Sequence, residues 1–167
     1  ESERIERFQK RKGQIIQKAI AMIDIDNFKY YNERFGHIVG DYRLRGFAEI
    51  LKRTLRRIDF ICRYGGDEFV VVMSDTAPQE AERMCQRLYI ELAKEDFFLT
   101  ELKKITRQDI EIPEKKKVGF SMGLCSNSDI ESPENLTEVM RNADRALPYA
   151  KDKSKGAVTN WLKVKTT

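Results

Sequence analysis

The sequence is poor in the features that mark a membrane span, a secreted scaffold or a repeat protein. No run of about eighteen consecutive apolar residues occurs, so no segment reads as a transmembrane helix. The first residues are charged throughout, without the apolar stretch that follows a basic stub in a signal peptide, so no leader is expected. There are only 3 cysteines. Cys62, Cys85 and Cys125 are far apart and each sits in an apolar stretch, which suits buried thiols in a reducing compartment better than disulfides or a zinc site. Neither an internal repeat nor a low-complexity linker is present. The excess of 31 basic over 27 acidic residues is small and dispersed. Its local clusters, Lys10 to Lys12, Lys52 to Arg57 and Lys151 to Lys155, read as solvated faces, and no nucleic-acid partner is expected.

What is present is enough for one core. A chain of 167 residues with 41% hydrophobic content fits a single globular domain. Residues 1–12 read as the tail of an amphipathic helix ending near Gly13. Ala19 to Ile25 is short, apolar and β-branched, a strand that finishes among Asp24 and Asp26. Asn27 to Phe35 predicts a short helix closed by Gly36, and Gly40 opens a longer one whose Leu44, Phe47, Ala48, Leu51 and Leu55 form an apolar stripe. Ile58 to Arg63 and Phe69 to Met73 flank Gly65, Gly66, Asp67 and Glu68, a β-hairpin whose glycines sit where a tight turn calls for positive φ.

Ala81, Met84, Cys85, Leu88 and Leu92 mark a further core-facing helix, and Val118 to Cys125 the next strand. Ser132 has the look of an N-cap, with Pro133 at the first helical position of a helix through Ala150. Ala157 to Trp161 predicts the last strand. Asp96 to Lys117 has little periodicity and reads as a surface excursion that could hold a small hairpin. The expected architecture is an α/β fold of the α+β kind: a mixed, largely antiparallel central sheet flanked by helices in three layers.

Asp24 ends the first strand and Asp67 occupies the hairpin tip, so neighbouring strand ends could bring two carboxylates together. Mg²⁺ takes oxygen ligands and is usually held by one or two carboxylates plus substrate phosphates, and the Ile25 carbonyl could add a ligand. Gly65 and Gly66 would let a triphosphate approach the main chain. An acidic hairpin tip can also be no more than a polar turn.

The run from Arg63 to Phe69 reproduces the GGDEF signature, and the chain resembles the diguanylate cyclase family through further motifs. Ile23 to Lys29 with Asn32, then Phe35, Gly36, His37, Gly40 and Asp41, is similar to the family's upstream motif. Ser121 to Gly123 resembles its Ser-Ile-Gly strand, and Ala143 to Leu147 with Ala150 and Lys151 resembles its last helix. The resemblance implies a bacterial second-messenger enzyme that condenses two GTP into cyclic di-GMP and pyrophosphate on a fold like the nucleotidyl cyclase and polymerase palm. Residues 1–18 would then be the end of an N-terminal helix or linker, and 19–167 the catalytic domain.

By the same resemblance Asp24, Asp67 and the Ile25 carbonyl would hold Mg²⁺ or Mn²⁺, with Glu68 beside them as a joint candidate with Asp67 for taking the 3′-hydroxyl proton. Asn32 and Asp41 would read guanine through its N1 and N2 donors. Phe28, Lys29, Gly65, Gly66, Lys151 and Lys155 would contact substrate, the lysines through phosphates. His37 would be structural. Arg56 and Asp59 form the family's Arg-x-x-Asp product-inhibition site, with Arg87 as an auxiliary arginine acting on a neighbouring domain. The implied partners are GTP, cyclic di-GMP, a second copy of the domain and an upstream sensory domain. The implied setting is cytoplasmic, alone or as part of a membrane-bound protein.

Three departures stand out. The family's Asp-x-Leu-Thr segment before the first helix has no match, which reads as a truncated or variant start. Ser154, Lys155 and Gly156 replace Gly-Arg-Asn, exchanging a forked guanidinium for a point charge. Pro148 falls inside the last helix, where it removes a bond to the Asp144 carbonyl at a cost of about 3 kcal/mol. The competing reading is a catalytically silent domain that binds GTP or cyclic di-GMP to regulate a partner. A polymerase palm also places carboxylates at strand ends, but the chain has no room for fingers or a template channel.

Overall fold

The computed structural model describes residues 16–94, 97–107, 110–113, 116, 119–153 and 157–165. The expected N-terminal helix, Val118, Ser154, Lys155 and Gly156 lie outside the described residues. Chain order is β1 (Lys18–Asp26), α1 (Phe28–Phe35), α2 (His37–Thr54), β2 (Phe60–Arg63), β3 (Glu68–Ser74), α3 (Pro78–Lys94), α4 (Phe97–Thr106), β4 (Gly119–Ser126), α5 (Leu136–Lys153), β5 (Val158–Asn160) and α6 (Trp161–Lys165).

The sheet runs β2-β3-β1-β4-β5. Its pairs are antiparallel except β4 with β5, which are parallel. β1 is central and buried from Ala19 to Asp26. A strand covered on both faces needs no polar alternation, which is why its sequence is an unbroken apolar run. Ala19, Ala21, Ile23 and Ile25 pack with Leu44, Phe47 and Leu51 of α2 and Ala81, Met84, Cys85 and Leu88 of α3. Ile20 and Met22 face the other way, against Val139, Ala143 and Leu147 of α5. The expected three layers are therefore present, and each such buried Leu, Ile or Met contributes about 1.5–3 kcal/mol.

α5 lies close on β4 because Gly123 has no side chain. A Cβ there would stand 2.1 Å from the Ala143 carbonyl oxygen and 2.6 Å from the Leu147 nitrogen. Gly123→Ala must therefore push the helix off the sheet. Pro148 does lie inside α5, on an exposed face, and the helix continues to Lys153.

Several expectations change. Asp96 to Lys117 contains the helix α4 in place of a possible hairpin; Leu102 from it is buried with Tyr31 and Val39. α2 begins at His37, so Gly40 lies in its first turn. β2 starts at Phe60, and Ile58 is exposed in the preceding turn. α5 is capped by Asn135 instead of Ser132: the Asn135 Oδ1 accepts from the Glu138 N–H at 3.2 Å. Trp161 opens α6 and does not end β5. Cys62 is exposed because β2 is an edge strand, whereas Cys85 and Cys125 are buried and their thiols pushed up to about 12 by burial.

Candidate active site

Antiparallel register brings the end of β1 next to the hairpin tip. Asp24 stands opposite Glu68 across β1 and β3. One residue on, the Ile25 N–H donates to the Asp67 carbonyl at 3.1 Å, which ties the hairpin tip to the end of β1. Asp24 is buried on β1, and its Oδ2 is 2.8 Å from the Lys151 ammonium of α5. Partial burial and then the charge of Asp24 raise the Asp67 carboxyl above its usual value, against the opposing pull of its own backbone, Lys151 and Arg43. Two repelling carboxylates at a strand end, one already leaning on a cation, are a donor set that suits a hard divalent ion. Among the described residues no cluster of three or more ligating side chains exists.

The hairpin glycines act through clearance and not through backbone handedness. Among the described residues Gly36 alone of the glycines has positive φ, at 86°, which corrects the expectation for Gly65 and Gly66. A Cβ on Gly66 would meet nothing within 4 Å, so its main chain faces open space. Gly65 lies against Glu68, whose Oε2 would be 2.6 Å from a Cβ there. The Arg63 guanidinium donates to the Gly65 and Gly66 carbonyls at 3.1 and 2.8 Å, fixing the turn.

Beside the hairpin a cleft of about 490 Å³ is lined by Phe28, Lys29, Asn32, Glu33, His37 and Asp67. The Asn32 Oδ1 is buried there without a hydrogen-bond partner. An acceptor in that state costs free energy until a donor reaches it. Gly40 makes its seat possible, since a Cβ at that position would fall 1.9 Å from Asn32 Oδ1. Asp41, next along α2, is exposed and is not part of this cleft wall. Lys29 is exposed and pairs with Glu33 at 3.6 Å, a contact worth little by itself. His37, read as structural, is an exposed wall residue of the cleft.

Sequence reading missed Arg43. It lies one helical turn after Val39 and one before Phe47, so a charged residue interrupts an otherwise apolar face, and that spacing was the available signal. Arg43 is 1% exposed, donates to the Asp26 carbonyl at 2.7 Å and stacks 4.3 Å from the Tyr31 ring centre. Asp26 is buried beside it and accepts from the Ser121 hydroxyl at 3.2 Å.

The Arg56–Asp59 pair lies elsewhere, in the turn between α2 and β2. Asp59 Oδ2 accepts from the Arg56 backbone N–H at 2.9 Å, and Oδ1 from the Ser74 N–H at 3.4 Å. The Arg56 guanidinium donates to Asp59, to the Ser74 carbonyl at 3.0 Å and to the Thr76 hydroxyl, and pairs with Glu80 at 3.6 Å. Arg87 is exposed and donates to the Thr54 carbonyl at 2.7 Å, at the end of α2 in its own chain.

A mostly antiparallel sheet thus carries at one end an acidic strand terminus, a glycine hairpin and an adjoining cleft. The comparisons with known proteins are specific. Residues 2–157 match the family described as "Diguanylate cyclase, GGDEF domain", and the chain belongs to that family. It is 36% identical over 138 residues to response regulator PleD of Caulobacter vibrioides, covering 82% of this chain and 28% of PleD. It is 34% identical over 143 residues to diguanylate cyclase A of Treponema denticola, covering 84% of this chain and 34% of that protein. Diguanylate cyclase SiaD of Pseudomonas aeruginosa, solved with its activator SiaC, superposes with a TM-score of 0.71 at 28% identity over 93% of this chain and 53% of SiaD. The chain thus spans about a third or less of the curated relatives' length.

Proposed function

We propose that this domain is a diguanylate cyclase half-site: each domain holds one GTP, and two facing domains join their substrates into cyclic di-GMP. Each 3′-hydroxyl oxygen attacks the α-phosphorus of the other GTP, forming two phosphodiester bonds and expelling two pyrophosphates, while each hydroxyl proton leaves to a nearby base. The observation that carries this reading is the pairing of Asp24 and Asp67 beside a cleft in which Asn32 offers an unpartnered buried acceptor. Guanine would supply N–H donors to that acceptor, and to Asp41 once its exposed side chain turns toward the cleft; adenine presents an acceptor at N1 and lacks the N2 donor.

Asp24, Asp67 and the Ile25 carbonyl would hold Mg²⁺ or Mn²⁺, which supplies Lewis-acid stabilisation of phosphate charge and a lowered pKa for the attacking hydroxyl. Glu68, opposite Asp24, and Asp67 are the candidate proton acceptors. Lys151 would exchange Asp24 for phosphate when the metal enters, and Lys29 would give up an exposed pair for the same purpose. Lys155 would add a further phosphate contact. Gly66 leaves the main chain open to the triphosphate. Arg56 and Asp59, with Arg87, would form a product-binding brake that keeps half-sites apart.

The test is incubation of the 167-residue chain with GTP and Mg²⁺, with product identified by mass. Cyclic di-GMP forming at a rate that rises faster than linearly with protein concentration supports the proposal. GTP binding without product would favour a silent regulatory domain.

A further inference from the structure

The paired carboxylates have two cationic neighbours, and these differ in kind. Lys151 reaches Asp24 from α5 with a side chain that is 42% exposed. Arg43 comes from the opposite layer, 1% exposed, pinned by the Asp26 carbonyl at 2.7 Å and by the Tyr31 ring at 4.3 Å. Asp26 is two residues from Asp24 on the same face of β1, since side chains alternate along a strand. Arg43 thus stands behind the strand end that carries the metal carboxylates and cannot leave it. Burial pulls its guanidinium down to about 10, against the fields of Tyr31, Asp26, Asp67 and Asp24, so it stays charged at neutral pH.

We infer that Arg43 is a positioning residue: its buried guanidinium is a permanent internal counter-charge that offsets the negative charge of the acidic strand end and weakens its grip on a free divalent cation. The inference rests on the assignment of Asp24 and Asp67 as metal carboxylates. A site so compensated takes up metal mainly together with triphosphate, whose negative charge offsets the arginine. A purely structural Arg43 would act in the opposite sense, because its loss would loosen the carboxylates and weaken metal binding.

Free Mn²⁺ is titrated against the 167-residue chain, with bound metal read from the loss of the free-ion electron paramagnetic resonance signal. Arg43→Gln, which keeps a donor for the Asp26 carbonyl and removes the charge, should lower the half-saturating Mn²⁺ concentration roughly three- to tenfold. Arg43→Lys should stay within about twofold of the parent, since it keeps the charge. Unchanged or weaker binding by Arg43→Gln overturns the inference. If that variant does not fold, Asp26→Asn is compared with Asp26→Asn/Arg43→Gln, which removes both buried charges together. The double variant should bind Mn²⁺ more tightly than Asp26→Asn, and failure to do so overturns the inference equally. Absence of Mn²⁺ binding to the parent, alone and with a non-hydrolysable GTP analogue, would instead overturn the metal assignment and this inference with it.

Discussion

At the hairpin end, Asp67 sits in the field of Asp24 and Asn32 keeps a buried acceptor without a partner, whereas in the turn after α2 the fully buried Asp59 carboxylate accepts from Arg56 and Ser74. Both regions carry signature residues of the same family. In one, a buried acceptor beside a cleft lacks a partner; in the other the polar groups satisfy each other within the chain. Buried polar groups are normally paired, so the unpartnered Asn32 acceptor is where a ligand's donor would complete the structure. The satisfied end can take a ligand only by exchanging bonds it already has. A short motif therefore says which atoms are available in principle, and the packing decides which are available without cost.

The comparison breaks most visibly at Asp67. Asp67→Ala should abolish turnover while shifting the melting temperature by less than about 4 °C, since the residue lies at the hairpin tip outside the core clusters. Rate and melting curve measured on one preparation check both halves, and retained activity would remove Asp67 from the metal site. The satisfied end should respond the other way. Asp59→Ala strands the Arg56 and Ser74 donors and should cost about 2–3 kcal/mol, read by denaturant titration. Asn32→Ala, which removes an unpaired acceptor, should cost less than about 1 kcal/mol. Equal losses in the two variants would erase the distinction between the regions.

Arg56→Ala sharpens the comparison further. If product binds at that turn, the variant should escape inhibition by cyclic di-GMP with its initial rate unchanged, while losing about 1–2 kcal/mol of stability from the broken brace. Inhibition like the parent's would leave Arg56 as a brace alone. The smallest expected effect concerns pH. Because Asp67 is raised above 3.8 when folded, the unfolded chain ionises it more readily. Metal-free protein should therefore gain stability as pH falls from neutral through that raised value, with the gain complete below about 3.8. Asp67→Asn should flatten this component of the melting temperature against pH in EDTA, and an identical slope in both proteins would contradict the coupling.

Residues close in sequence made the central fold legible. The apolar run of β1 and the stripe of α2 announce buried faces because strand and helix periodicities are local. α4 was not legible because Leu102 earns its burial only from Tyr31 and Val39, far earlier in the chain. Cys62 misled for a related reason, since an apolar strand reads alike at an edge and at the centre of a sheet. At the candidate site, motif spacing singled out Asp24, Asp67 and Asn32, and the fold brings Asp67 and Asn32 to one cleft. It did not find that Gly40 makes the seat of Asn32, nor that Arg43 lies beneath the carboxylates, because both depend on how α2 rests against α1 and β1.

The most direct test of the account is calorimetric binding of non-hydrolysable GTP and ATP analogues with Mg²⁺ to the parent and to Asn32→Ala. The account predicts that the parent binds the GTP analogue at least about tenfold more tightly than the ATP analogue, and that Asn32→Ala loses most of that preference. Equal affinity for the two nucleotides in the parent, or an undiminished preference in Asn32→Ala, would contradict it.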